Sequence, residues 1–519
     1  MSTTTGGEPG RGPAAALDRE LRGLARGGLG NVAGAVAAAA SGIGVILVIT
    51  RTLPGHSAGV LFAGTSLFLI AATVSRLGTP TGLVYVLSGN RAEGRPATER
   101  ATLRLALVPA LVTSTILAAV LAAAAPAVVE LLGLDAPDSA AVLRLLALLL
   151  PVAVVSDVVL AATRGLGTMR PTIVNEYFGR SAVQFLLVLL AAVTVGSAPA
   201  IALAWCLPYA ASALLAWRRF RSLTPPSLGG GSAADRHRFW AFTWPRAVAS
   251  VVQIALQRLD IVLVAVLLGP TQAAVYTAAS RFLVVGQLGN AAVSTAAQPR
   301  LRAALASGET ARAQSLYRAA TGWLILVNWP LYLLAMIFAD PMLNLFGPEY
   351  LAGRPVVLVL GAATLVGTAC GMVDMLLTMG GRSSWNLYNS LAALAVNVSL
   401  DLLLIPRLGI LGAAIGWAAA ILLNNLVPLA QIGLVLRMHP VTRGTVTAVL
   451  LSVACFAGLP SLGLALTRGD LRGAAVGAVL GAAGYVAGCA LERRSLALPE
   501  VVGAVRRGHR RGAPQPGAG

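Results

Sequence analysis

Residues 141–163 read AVLRLLALLLPVAVVSDVVLAAT. Apart from Arg144 near one end and Asp157 towards the other, the run is apolar, small or weakly polar. About 20 such residues, coiled as a helix, cross a hydrocarbon core ~30 Å thick. A backbone surrounded by lipid must satisfy its own N–H and C=O groups, and a helix does so within one segment. Working outward from this run, similar stretches fall near 29–50, 57–77, 104–128, 171–194, 198–217, 240–267, 272–298, 317–339, 355–379, 385–405, 409–435, 445–466 and 472–490. The second stretch can also be read as a bent helix continuing towards Leu87. The chain is therefore expected to be an all-α integral membrane protein with about 14 transmembrane helices.

Composition agrees. Of 519 residues, 57% are hydrophobic and 11% charged, where a soluble domain carries about 25% charged residues. That excludes a disordered chain, a nucleic-acid-binding domain and most soluble enzymes. The net charge is +19, and every basic residue is Arg. Because these arginines sit mainly in short segments between apolar runs, they suit membrane lipid headgroups, not nucleic acid. Cys206, Cys370, Cys455 and Cys489 all lie inside apolar runs without pairing or metal spacing, so they read as buried thiols.

Arginine also sets an expected orientation. With a cytoplasmic N-terminus, the inner segments hold 28 arginines and the outer ones only Arg51, Arg144, Arg354, Arg407, Arg468 and Arg472. This bias predicts an even number of spans with both termini cytoplasmic. The outer loops carry Glu130, Asp135, Asp138, Asp340, Glu349 and Asp470.

The chain resembles itself at a spacing of roughly 212–215 residues. LPGHSAGVL at 53–61 overlies LGPTQAAVY at 268–276, and RGLGTMRP at 164–171 overlies LTMGGRSS at 377–384. The expected organisation is a cytoplasmic tail at 1–28, a six-helix lobe at 29–220, a linker at 221–238, and a second six-helix lobe at 239–437. Two further helices at 445–490 and a basic tail at 491–519 complete it. Pseudo-symmetric lobes with a cleft between them are the architecture of alternating-access transporters.

Ionisable residues inside spans are costly and mark candidate sites. Arg76 closes the second run, Asp157 lies in the fourth, and Asn175, Glu176 and Arg180 open the fifth. The seventh carries Arg246, Arg258 and Asp260, and the eighth Arg281 and Asn290. Later come Asp374, Asn386, Asn389, Asn397, Asp401, Asn424 and Asn425. Arg258 and Asp260 are two apart and do not face one another on a helix. They read either as a neutralising structural set, with Asp260 reaching for instance Arg281, or as a cationic lining for a phosphate-bearing substrate. Asn397 and Asp401 share a face, which suits helix–helix hydrogen bonding. Pro245 and Pro330 are expected to kink their spans. The four histidines fall far apart, and no phosphate-binding loop, HExxH motif or Cys/His metal spacing occurs. No catalytic residues, metal or cofactor are expected, and the chain does not read as an enzyme.

At 259–276, LDIVLVAVLLGPTQAAVY, at 345–350, LFGPEY, and at 403–416, LLIPRLGILGAAIG, the chain resembles the polysaccharide-transporter (Wzx-like) branch of the multidrug/oligosaccharidyl-lipid/polysaccharide flippase superfamily. That resemblance covers about 29–437. It implies a two-lobed fold around a cationic cavity and a cell-membrane flippase for undecaprenyl-pyrophosphate-linked glycans in surface polysaccharide biosynthesis. It implies Arg51, Arg76, Arg258, Asp260 and Arg281 as cavity residues. Polysaccharide-assembly glycosyltransferases or a polymerase are the implied protein partners. The alternative is a drug/cation antiporter of the multidrug and toxin extrusion type, for which Asp157, Asp260 and Asp374 are coupling carboxylates. A membrane-embedded glycan polymerase or ligase is a third reading; the longest outer loops, about 129–140 and 340–354, are short for one and lack His.

Overall fold

The computed structural model describes residues 34–93, 98–131, 133, 138–224, 233–493 and 495–496. The expected tail at 1–28, most of the tail at 491–519 and residues 225–232 of the linker lie outside the described residues. Within the described residues every regular element is helical.

The chain begins with α1 (Gly34–Thr52). There follow α2 (Gly55–Ser75), α3 (Thr79–Ala92), α4 (Glu99–Ala123), α5 (Ala125–Leu131) and α6 (Ser139–Gly165). A π-helical stretch, Thr172–Arg180, runs into α7 (Ser181–Thr194), before α8 (Ala198–Cys206) and α9 (Pro208–Leu223). The second part holds α10 (Ala233–Leu268), α11 (Pro270–Ser280), α12 (Phe282–Ala306), α13 (Thr310–Ile337) and α14 (Ala339–Asn344). After these come α15 (Arg354–Ala369), α16 (Val373–Met379), α17 (Ser383–Leu408) and α18 (Ile410–Val435). The chain closes with α19 (Arg443–Val453), α20 (Leu459–Leu466) and α21 (Leu471–Leu491).

Thirteen helices among the described residues are long and apolar enough to cross a membrane, against about 14 expected from the sequence. The difference is the eighth stretch, 272–298. It forms α11 and α12, which join at Arg281, and the polar residues Asn290, Gln298 and Arg302 lower the apolar content of α12. It packs mainly on α13.

The second span is bent, as the sequence allowed. Leu77 and Gly78 take φ of +50° and +71°, which ends α2, and Pro80 opens α3 without needing a backbone donor. Positive-φ glycines also recur in register: Gly133 with Gly347, Gly167 with Gly381, and Gly196 with Gly409. The pairs are 214, 214 and 213 residues apart, so the turns repeat as well as the apolar runs.

In the first half α6 packs against α2, α3, α4, α8 and α9. Arg91 clamps its arginine-rich end, with Nε donating to Glu99 Oε1 (2.7 Å), Nη1 to the Leu166 carbonyl (2.6 Å) and Nη2 to that of Leu223 (3.3 Å). In the second half α18 packs against α15, α16 and α17, and α13 against α12, α15 and α19. Helices α20 and α21 approach backbone to backbone. Cβ atoms on Gly473, Gly477 and Gly481 would overlap the carbonyls of Gly463, Leu459 and Cys455, the close approach that small residues permit in lipid.

Candidate functional site: a cavity between the two halves

Among the described residues the halves meet where α2 packs on α10 and α11 and where α3 packs on α10, with close contacts towards each end of the bundle. At the end away from the arginine-rich loops, the two segments that align in the repeat meet directly. A Cβ on Gly59 would overlap the Pro270 carbonyl, and one on Gly55 would lie 3.3 Å from Thr271 Cγ2. Beside them Arg51 Nε donates to the Leu345 carbonyl (2.7 Å) and Nη2 to that of Asn344 (3.0 Å). At the arginine-rich end α3 lies on α10. Gly82 abuts Thr243 Oγ1 and the Phe239 ring, and Tyr85 stacks on Phe242 with centroids 3.8 Å apart.

A cavity of about 430 Å³ is lined mainly by the first half, by α1, α2, the π-helical stretch and α7 to α9, with Arg258 and Arg281 reaching it from the second half. Arg180, from the last turn of the π-stretch, enters it with its guanidinium 4.7 Å above the Tyr209 ring centroid. Glu176 lies 3.9 Å from Arg180 Nη2 and 3.7 Å from Arg164 Nη1, so Arg180 is partly neutralised. Arg258 and Arg281 have Asp260 within electrostatic reach but make no such pair. Among the described residues neither has an ion-pair partner, and the Nε atom of each is buried without a hydrogen bond. A guanidinium so placed is destabilised unless an anion joins it.

On the other flank of α10, Arg76, Arg246, Ser250, Gln253 and Gln257 line a second cavity of about 440 Å³ with Thr73 and Thr81. Its wall of amides, hydroxyls and guanidinium groups is suited to sugar hydroxyls. Arg76 Nη1 is 2.8 Å from Asp157 Oδ2, and its Nη2 donates to Thr73 Oγ1.

Asp260 is 1% exposed and does not line the cavity. Its Oδ2 accepts from Tyr276 Oη and its Oδ1 from the Ile261 amide, so the partner is a tyrosine and not Arg281. Asp401, wholly buried on α17 where that helix packs on α10, accepts from Asn397 Nδ2 (3.1 Å). The Oδ1 atoms of Asn397 and Asp401 have no partner, and such oxygens suit a proton or a hard cation. Asp374 is exposed on α16, away from this cluster. Of the sequence candidates, then, Arg258 and Arg281 share one cavity, Arg76 lines its neighbour with Asp157 as partner, and Arg51 lies at the sealed end. Arg180 was not among the cavity candidates; its signal was the polar cluster Asn175, Glu176 and Arg180 inside an apolar run.

The family described as "Polysaccharide biosynthesis protein" matches residues 96–352. Over that segment, just under half of its length, the chain is similar to this family. The fold is similar to a solved structure titled lipid II flippase MurJ, inward closed conformation (TM-score 0.70, 11% identity, 90% of this chain and 98% of that one). It is also similar to an inward-facing multidrug resistance MATE family transporter (TM-score 0.64, 14% identity, 76% and 94%). A third likeness is to a superfamily transporter from Pyrococcus furiosus, whose title speaks of a binding pocket of reverse polarity (TM-score 0.55, 16% identity, 84% and 96%). No curated protein matches the sequence. These likenesses concern the fold; the chain is a multi-pass membrane protein.

Proposed function

We propose that the transporter flips a lipid-linked oligosaccharide across the cell membrane by alternating access between two six-helix lobes, 29–220 and 239–437, with its arginine-rich end in the cytoplasm. One observation carries the reading: Arg258 and Arg281 line one cavity without an ion-pair partner among the described residues, and Asp260, the acid within electrostatic reach of both, is engaged with Tyr276. A pyrophosphate supplies that charge in bidentate form. The amide- and hydroxyl-rich cavity beyond Gln257 then takes sugars, and the polyprenyl chain stays in lipid. A cationic drug would meet like charge there, which disfavours the antiporter reading. The buried Asp260–Asn397–Asp401 cluster gives the cycle a group whose protonation or cation occupancy can differ between states, as any coupled switch requires. Enzymes that build the glycan are the protein partners this reading implies.

The test substitutes Arg258 and Arg281 by alanine, separately, and measures export of surface polysaccharide together with binding of an undecaprenyl-pyrophosphate glycan to purified protein. A charge-assisted hydrogen bond is worth about 1.5–3 kcal/mol, so each change should weaken binding at least ~10-fold. Unchanged binding and export at normal protein levels overturn the proposal.

A further inference from the structure

We propose a second site, outside the central cavity: the groove between α3, α4 and α10 binds one anionic glycerophospholipid at the arginine-rich end of the bundle. The groove encloses about 730 Å³ and is lined by Tyr85 and Asn90 on α3, Arg104 and Val108 on α4, and Arg236 and Phe239 on α10, among others. Its charge comes from two helices. Arg104 and Arg236 are exposed, and neither has an ion pair or hydrogen bond among the described residues. The other charged groups on the rim are engaged, because Arg238 lies 3.8 Å from Glu93 and Asp235 has a partner of its own. The uncommitted charge is thus a pair of guanidinium groups on facing helices, the arrangement that grips a phosphodiester.

What lies below the arginines makes the occupant a lipid. The floor is formed by Leu105, Val108 and Pro109 of α4. It continues down the outward face of that helix, where Val108, Val112, Ile116 and Val120 are 52–59% exposed. That face meets acyl chains, so a ligand whose phosphate sits between Arg104 and Arg236 can run its tail along α4 without leaving the hydrocarbon. Tyr85, half-exposed and stacked on Phe242, stands at the mouth, where an aromatic ring with a polar tip belongs at the headgroup level. Free phosphate would use the arginines and leave the apolar floor wet. A bound lipid joins α4 to α10 beside the Tyr85–Phe242 contact and holds this end of the bundle shut. The site is independent of what the central cavity carries.

Native mass spectrometry of the purified full chain, offered equal phosphatidylglycerol and phosphatidylcholine, reads the site directly. The expected result is one phosphatidylglycerol retained in preference. An arginine near anionic lipid contributes enough for about a five-fold change, so R104Q with R236Q should lose ~25-fold in that preference. R104K with R236K should keep most of it. Both pairs are exposed, and their melting in phosphatidylcholine should match the wild type, which separates loss of the site from loss of fold. Equal binding of the two lipids by the wild type, preference retained by the glutamine pair, or displacement of the lipid by millimolar inorganic phosphate would each overturn the proposal.

Discussion

Alanine at position 59 should force open the end of the bundle that is sealed by α2 and α11. The glycine there has no side chain to keep the Pro270 carbonyl away, and a methyl group would overlap that oxygen and the carbonyl carbon behind it. Both are backbone atoms, so no rotamer change relieves the clash. The helices must part by on the order of 1 Å to restore normal contact distances. Overpacking of this kind costs roughly 1–3 kcal/mol. Because it acts only where these helices touch, it should shift the equilibrium away from the sealed state by roughly 5- to 150-fold. Spin labels at Thr52 and Glu349, both exposed at that end, report the gap by double electron–electron resonance. The expected result is a distance distribution moved to longer values in Gly59→Ala, with no such move for alanine at Gly42, where a Cβ meets nothing within 4 Å. A distribution identical to wild type, from protein that melts normally, would refute the claim that this contact closes the end.

Other substitutions test the packing. Arg91→Ala leaves the fully buried Glu99 side chain without its counter-charge. Since Arg91 is itself 40% exposed, the loss should be about 2–3 kcal/mol, below the 3–5 of a fully buried pair. Melting in detergent checks this, and Glu99→Gln should cost less. Tyr276→Phe removes the hydroxyl that satisfies Asp260 Oδ2 and should destabilise by about 1.5–3 kcal/mol in the same assay. Gly477→Leu would press on the Leu459 carbonyl and separate α20 from α21. Labelling of the buried Cys455 by a small membrane-permeant maleimide should then speed up at least ~5-fold, while Cys206 and Cys370 stay as slow as in wild type.

The helical membrane architecture was plain in the sequence because lipid leaves the backbone so little choice, and runs such as 141–163 announce it residue by residue. The repeated turns were legible through LPGHSAGVL and LGPTQAAVY, which prove to be in direct contact. The eighth stretch, 272–298, is two helices joined at Arg281, and its polar residues leave it less apolar than the other spans. Arg258 and Arg281 could be nominated from their unfavourable location, but which acid answers which arginine depends on rotation about each helix axis, and no spacing rule supplies that. Hence Asp260 turns to Tyr276, Asp157 to Arg76, and Arg51 to backbone carbonyls at one end. Arg180 reaches the cavity through a π-helical stretch, whose extra residue per turn re-aims every side chain after it; the periodicity of an ordinary helix cannot foresee that.

The break at Leu77 and Gly78 makes the second span two short levers on a shared pivot. One lever, α2, bears on α11 and α10, and the other, α3, bears on α10. A rigid rod would couple its ends like a seesaw, so that shutting one mouth lifts the other. With a joint in the middle, α3 can change its angle against α10 without prying α2 away from α11.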